Sequence, residues 1–93
     1  MKVYWTDESY IALRHIRDHI SQDSDFFARR TIERILDREA QIGTFPQSGR
    51  KVPEYNNDDI REVLEGAYRI IYKIKSDVVD VLTVIHGTMK LVS

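Results

Sequence analysis

Gly66-Ala67-Tyr68-Arg69-Ile70-Ile71-Tyr72-Lys73-Ile74-Lys75 is rich in β-branched and aromatic residues, and its even positions, Tyr68, Ile70, Tyr72 and Ile74, are apolar at period two. The pattern predicts the central strand of an antiparallel sheet, with one face covered and the other able to display Arg69, Lys73 and Lys75. Ile71 is the apolar exception on that second face. Val78 to His86 is almost continuously apolar, and Ser76-Asp77 before it reads as a two-residue hairpin loop. Closing the hairpin there sets Lys75 opposite Val78, Lys73 opposite Asp80, Ile71 opposite Leu82 and Arg69 opposite Val84. His86 then lies one step further on the side of Arg69. The core face pairs Tyr68, Ile70, Tyr72 and Ile74 with Val79, Val81, Thr83 and Ile85, and the other face carries Arg69, Lys73, Asp80 and His86.

Working outward, Lys2–Trp5 looks like a strand too short to stand alone, so it must join the later sheet. Thr6 can cap a helix, Asp7 and Glu8 suit its first turn, and Ala12, Leu13, Ile16 and Ile20 recur at helical spacing. After the polar Ser21–Asp25 segment, Ser24 or Asp25 can cap a second helix from Phe26 to Ile42. Its stripe is Phe27, Ile35 and Ile42, widened by Ile32, Leu36 and Ala40, and Gly43 is expected to stop it. Two helices on a short linker form an antiparallel hairpin whose stripes bury on the sheet. Phe45 to Pro53, with two prolines and a glycine, is a turn-rich connection that Tyr55–Asp59 continues. Ile60–Leu64 is a strand turning at Glu65-Gly66 or Gly66-Ala67 into the central one. The expected fold is therefore α+β: an N-terminal strand, an antiparallel helical hairpin, then a three-stranded antiparallel meander (β-α-α-β-β-β), with the helices on one face of the sheet.

The 93 residues suit one domain spanning 1–93, and 42% hydrophobic with 31% charged residues is the balance of a soluble globular chain. A net charge of -1 offers no global attraction to nucleic acid or to an anionic membrane. The absence of cysteine excludes disulfide and thiolate chemistry, and no targeting segment or run of transmembrane length is present. The expected location is the cytoplasm.

His15 and His19 stand at i and i+4, a spacing that can hold zinc, but Ile16 follows His15 where metalloprotease helices place a glutamate, so no metal site is expected. Nucleophile motifs and glycine-rich phosphate loops are missing. His86 near Arg69 suits a general base beside a phosphate-stabilising cation, although a histidine ending a strand more often bonds its own turn. The remaining basic candidates are Arg50, Lys51, Arg61 and Lys90. With a two-residue loop before the central strand, Glu62 rather than Arg61 shares the face of Arg69 and neutralises it, and a three-residue loop reverses that.

The sequence carries Phe45-Pro46, Ser48-Gly49-Arg50, Val52-Pro53-Glu54, Ile60-Arg61-Glu62-Val63, Tyr68-Arg69-Ile70-Ile71-Tyr72 and Val84-Ile85-His86-Gly87 in that order. Together they resemble the ParE/RelE superfamily of toxins from type II toxin–antitoxin systems, over the entire chain. The resemblance implies a small toxin neutralised by direct binding of a cognate antitoxin. RelE-like members are ribosome-dependent messenger endoribonucleases that use the arginine of the Tyr-Arg motif, an arginine two residues after the last-strand glycine, and often a tail tyrosine. Arg69 matches the first, Met89 occupies the second, and Lys90-Leu91-Val92-Ser93 holds no tyrosine. ParE-like members match better through Pro-x-x-Gly-Arg, Ile-Arg-Glu-Val, Tyr-Arg-Ile-Ile-Tyr and His-Gly, and the activity this implies is inhibition of DNA gyrase by protein binding, without catalysis or cofactor. Members commonly follow His-Gly with one or two arginines, where this chain has Thr88-Met89-Lys90. The resemblance points to Arg61, Arg69, His86, Lys90, Arg50 and Lys51 for the target, with Arg69 and His86 catalytic in the ribonuclease alternative. An antitoxin segment is expected over the helical hairpin and sheet margin, at Leu13, Ile16, Ile20, Phe27 and Ile35. A third alternative is an inactive member serving mainly in antitoxin-bound autoregulation. No membrane contact or sequence-specific DNA binding by the chain alone is expected.

Overall fold

The structure, a computed structural model, describes residues 1–91, and the tail positions Val92 and Ser93 lie outside the described residues. Strands β1 (Lys2–Trp5), β2 (Arg50–Lys51), β3 (Ile60–Glu65), β4 (Tyr68–Ile74) and β5 (Val78–His86) form one sheet in the order β1-β5-β4-β3-β2. Helices α1 (Asp7–Ser21), α2 (Asp25–Asp37) and α3 (Glu39–Thr44) follow β1 and cover one face. The central strand and the meander are as the alternation predicts. The sheet is mixed rather than wholly antiparallel, because β1 runs parallel to β5 with Val3 beside Val79 and Trp5 beside Val81. The short β2, paired to β3 through Arg50–Glu62 and Lys51–Arg61, arises inside what reads as pure connection.

Thr6 caps α1 by accepting the Ser9 N–H at 3.2 Å, and Ser24 caps α2 by accepting that of Phe27 at 3.2 Å. The second helix does not run unbroken to Ile42. It breaks at Arg38, whose guanidinium reaches Glu65 at 2.9 Å, and Glu39 opens α3 while accepting the indole N–H of buried Trp5 at 2.6 Å. Gly43 does not stop the helix either. It sits inside α3 because a Cβ there would lie 2.7 Å from the Met1 carbonyl, so its missing side chain admits the N-terminal strand. The buried stripe of α2 and α3 is Ala28, Ile35 and Ile42, with Ile32 partly buried; Phe27 and Leu36, expected in it, are exposed.

The main core lies between the helices and the sheet: Trp5, Leu13, Ile35, Ile42, Val63, Ile70, Tyr72, Val79, Val81 and Val84. The β3–β4 loop is Gly66-Ala67, with Gly66 at φ 55, a value that favours glycine, and Glu65 pairs with Tyr68. Glu62 thus shares the face of Arg69, as the two-residue loop requires.

The β4–β5 register follows expectation only near the hairpin loop. Lys75 donates to Val78 at 2.9 Å and Lys73 pairs with Asp80, although the carboxylate of Asp80 bonds Lys75 at 2.6 Å instead. Beyond Tyr72–Val81 a bulge intervenes, Ile71 pairs with Thr83, and Leu82 is the extra residue. Arg69 therefore opposes Ile85 rather than Val84, and His86 opposes Tyr68. A one-residue slip exchanges faces, so Val84 enters the core and His86 leaves the side of Arg69. The bulge sits where β1 ends: the Thr6 hydroxyl bonds the carbonyls of Val81 at 2.7 Å and Leu82 at 3.3 Å.

Candidate functional site

Strand β4 is the common origin of two surfaces. On its helix side, Tyr68, Ile70 and Tyr72 point into or beside the core; on its outer side, Arg69 and Ile71 are also buried, which half-solvated alternation does not predict. The cover over the outer side is the Val52–Tyr55 loop and the segment after β5. Glu54 joins them: its carboxylate accepts both terminal nitrogens of Arg69, at 2.8 and 2.9 Å, and the backbone N–H of Leu91 at 3.0 Å. Arg69 also donates through Nε to Glu62 at 2.6 Å and through Nη1 to the Met89 carbonyl at 3.0 Å. Glu62 in turn takes the Nε of Arg50, so two carboxylates and two guanidinium groups alternate across the face.

The electrostatics follow from those contacts. The Arg69 guanidinium, and then the Leu91 N–H, hold the Glu54 carboxyl down to about 2 from an ordinary 4.5. Glu54 reciprocally raises the proton affinity of Arg69. Arg69 is only 5% exposed and Glu62 1%, so the outer face presents a neutralised network rather than an open cationic centre.

The preceding connection is fixed by a different device. Tyr72, fully buried, accepts the Gly49 N–H at 3.2 Å and donates to the Pro46 carbonyl. A Cβ at Gly49 would meet the Tyr72 oxygen at 2.3 Å and the Glu62 carbonyl at 2.7 Å, which accounts for the spacing Pro46-x-x-Gly49-Arg50. Burial raises the Tyr72 hydroxyl's pKa, so it remains a donor. Arg61, a target candidate, lies on the helix side at the margin, bonding the carbonyls of Asp58 at 2.7 Å and Gly49 at 3.2 Å. It braces this loop. Lys51 pairs with Asp58 at 2.8 Å, lowering that carboxyl's pKa. Arg50 and Lys90 are exposed, Arg50 with its Nε given to Glu62 and Lys90 lying between Met89 and Leu91, whose backbones Arg69 and Glu54 hold.

His86 is brought to the helix side. Its ring meets Tyr68 edge-on at 5.6 Å between centroids, and its Nδ1 lies 2.8 Å from the Thr88 hydroxyl and accepts the Thr88 N–H at 3.2 Å. Because a backbone N–H can only donate, the neutral ring carries its proton on Nε2. The bulge puts Arg69 and His86 on opposite sides of the sheet and each is engaged in local bonds, although both border one cavity of about 340 Å³ at the β3–β4 turn, with Arg50 and Tyr68. His15, His19 and His86 line one groove of about 560 Å³ between α1 and β5, with Ala12, Ile16 and Tyr68. Among the described residues no three His, Cys, Asp or Glu side chains are placed to hold a metal ion.

Of the expected antitoxin contacts, Leu13 and Ile35 are core residues, 5% and 0% exposed, and neither is available at the surface. Ile16 lines the groove, Ile20 is half-buried, and Phe27 is 63% exposed with its ring edge-on to exposed Phe26. Sequence reasoning missed Glu54 and the Tyr72–Gly49 lock. Tyr72 was readable as core, but its polar partner lies 23 residues away, across the connection.

The family model for the ParE toxin of the type II toxin–antitoxin system parDE matches residues 3–91. Among solved structures, the chain is similar to one in a chromosomal ParDE toxin–antitoxin system from P. aeruginosa, with a TM-score of 0.75 and 16% identity over 92% of this chain and 95% of that one. It is also similar to one in the toxin–antitoxin complex RelBE2 from Mycobacterium tuberculosis, with a TM-score of 0.65 and 17% identity over 91% and 95%. No curated protein sequence matches significantly. With the matched family spanning nearly the whole chain and the fold shared, this protein belongs to the ParE toxin family of type II toxin–antitoxin systems.

Proposed function

We propose that the chain acts as a single cytoplasmic toxin domain that inhibits DNA gyrase by protein binding and is held inactive by a cognate antitoxin. The observation that favours binding over RNA cleavage is the state of Arg69. A phosphate-stabilising arginine needs free donors at an open site, whereas four of the five N–H donors of this one are given to Glu54, Glu62 and the Met89 carbonyl and its side chain is 5% exposed, with His86 paired to Tyr68 on the helix side. The α1–β5 groove supports the antitoxin part of the reading. Among the described residues no strand pairs with β5 beyond Val81 on its β1 side, so that edge borders the groove beside Ala12 and Ile16. An amphipathic segment laid there buries apolar side chains and pairs with that edge. The similar structures come from toxin–antitoxin complexes, which agrees with a protein partner.

The test is induction of the chain alone in bacteria, with DNA and protein synthesis followed separately by pulse labelling, and supercoiling by purified gyrase measured in parallel. Early arrest of DNA synthesis and loss of supercoiling are expected, both reversed by the antitoxin. Immediate translation arrest with cleaved messages overturns this reading in favour of the ribonuclease alternative, and absence of any growth effect overturns it in favour of the autoregulatory one.

A further inference from the structure

We propose that Arg69 serves target binding as a positioning residue: with Glu54 it fixes the backbone of Met89–Leu91 at the margin of the outer face, and the exposed side chains of Met89, which borders the α1–β5 groove, and Lys90 make the contact. This rests on the proposed reading that the chain acts by binding a protein. The arginine itself is 5% exposed, and four of its hydrogen bonds are already made, one to Glu62, two to Glu54 and one to the Met89 carbonyl. To touch a partner it must abandon them, leaving Glu62, 1% exposed, with Arg50 alone.

The bonds to the tail have a particular form. Arg69 takes the carbonyl of Met89, and Glu54 takes the N–H of Leu91, so both partners hold backbone and neither holds a side chain. The path of the segment is thereby set whatever side chains it bears, while Met89 and Lys90 stay exposed. A guanidinium fork satisfies Glu54 through both terminal nitrogens and still reaches Glu62 through Nε, a division of labour a lysine cannot reproduce. Glu54 comes from the Val52–Tyr55 loop, which makes that loop the second half of the device.

Glu54→Gln in the full chain separates positioning from contact. It keeps the charge of Arg69 and weakens what holds it, so a contacting arginine is released and a positioning one loses its fixture. Positioning predicts that the Leu91 amide exchanges its hydrogen about tenfold faster, with gyrase inhibition weakened to a similar extent, since bonds to a charged group of this kind are worth about that factor. A double-mutant cycle with Lys90→Ala adds the second readout: the double variant is expected to lose no more than the larger single loss. The inference is overturned if Glu54→Gln inhibits as well as the parent or better, if the two losses add in full, or if Leu91 exchange is unchanged. Where the parent chain does not inhibit gyrase, the proposed function falls on that measurement alone, and Leu91 exchange in Glu54→Gln still decides whether the fixture exists.

Discussion

At strand β4 both faces of the sheet are closed, but by opposite means, while Tyr4 and Leu64 further out on the outer side stay exposed. Under the helices, Ile70 is 0% exposed, flanked by Val63 and Val84 and in one apolar core with Trp5, Leu13 and Ile35. On the outer side, Ile71 is 1% exposed, yet its face holds Glu62 and Arg69, and its cover is a loop tied down by the Glu54–Arg69 ion pair and a tail held by hydrogen bonds to its backbone. The first closure is dense and nondirectional; the second depends on a handful of directional bonds. The difference teaches where change is tolerated. Removing one carboxylate is therefore expected to loosen the outer side without opening the core.

The sharpest way to break that comparison is to truncate the two neighbouring isoleucines. Ile70→Ala leaves a cavity among rigid helices and strands and is expected to cost about 4 kcal/mol, near the upper part of the range for such deletions. Ile71→Ala is expected to cost about 2 kcal/mol, because the overlying loop can settle into the space. Chemical denaturation of both variants decides it, and equal costs would mean that the outer layer is as rigid as the core. A smaller effect probes the junction between the faces: Tyr72→Phe keeps the buried ring and removes the hydroxyl shared by Gly49 and Pro46, at an expected cost of about 1–2 kcal/mol. The loss should appear with faster exchange at the Gly49 amide and unchanged protection of β5.

Most of the helix side was legible in the sequence because period-two and helical apolar spacing report burial against a partner layer. Ile70, Tyr72, Val79 and Val81 are core for that reason. The outer side was less so. The same parity that puts Arg69 with Glu62 gave their pairing, but nothing local to Glu54 signals that its side chain crosses to Arg69, 15 residues later in the chain. The bulge at Leu82 escaped for a related reason. It is stabilised by the Thr6 hydroxyl, more than 70 residues away in sequence, and counting from the hairpin loop cannot reveal it. That single inserted residue moved His86 from the side of Arg69 to the helix side of the sheet, where it lines the groove with His15 and His19. The helix break at Arg38 is similar in kind, set by Glu65 across the fold rather than by a glycine or proline.

The smallest expected effect lies in acid and tests whether the outer closure is separable from the inner one. Glu54 is depressed from 4.5 to about 2 by Arg69 and the Leu91 N–H, so the docked state binds its proton less readily than the released state. Docking is therefore fully favoured above about pH 4.5 and loses that contribution as the pH falls from there through about 2. Arg69 stays charged throughout and adds no slope of its own in this window. The expected observation is that lowering the pH accelerates Leu91 amide exchange, relative to amides of the same intrinsic rate elsewhere, before near-ultraviolet circular dichroism reports loss of the core around Trp5. Glu54→Gln should abolish the extra acid dependence at Leu91 while leaving the core transition where it was. Simultaneous loss of both signals in the parent chain would mean that the tail and the core form one cooperative unit, and the contrast between a packed face and a bonded one would then have no consequence for how the molecule opens.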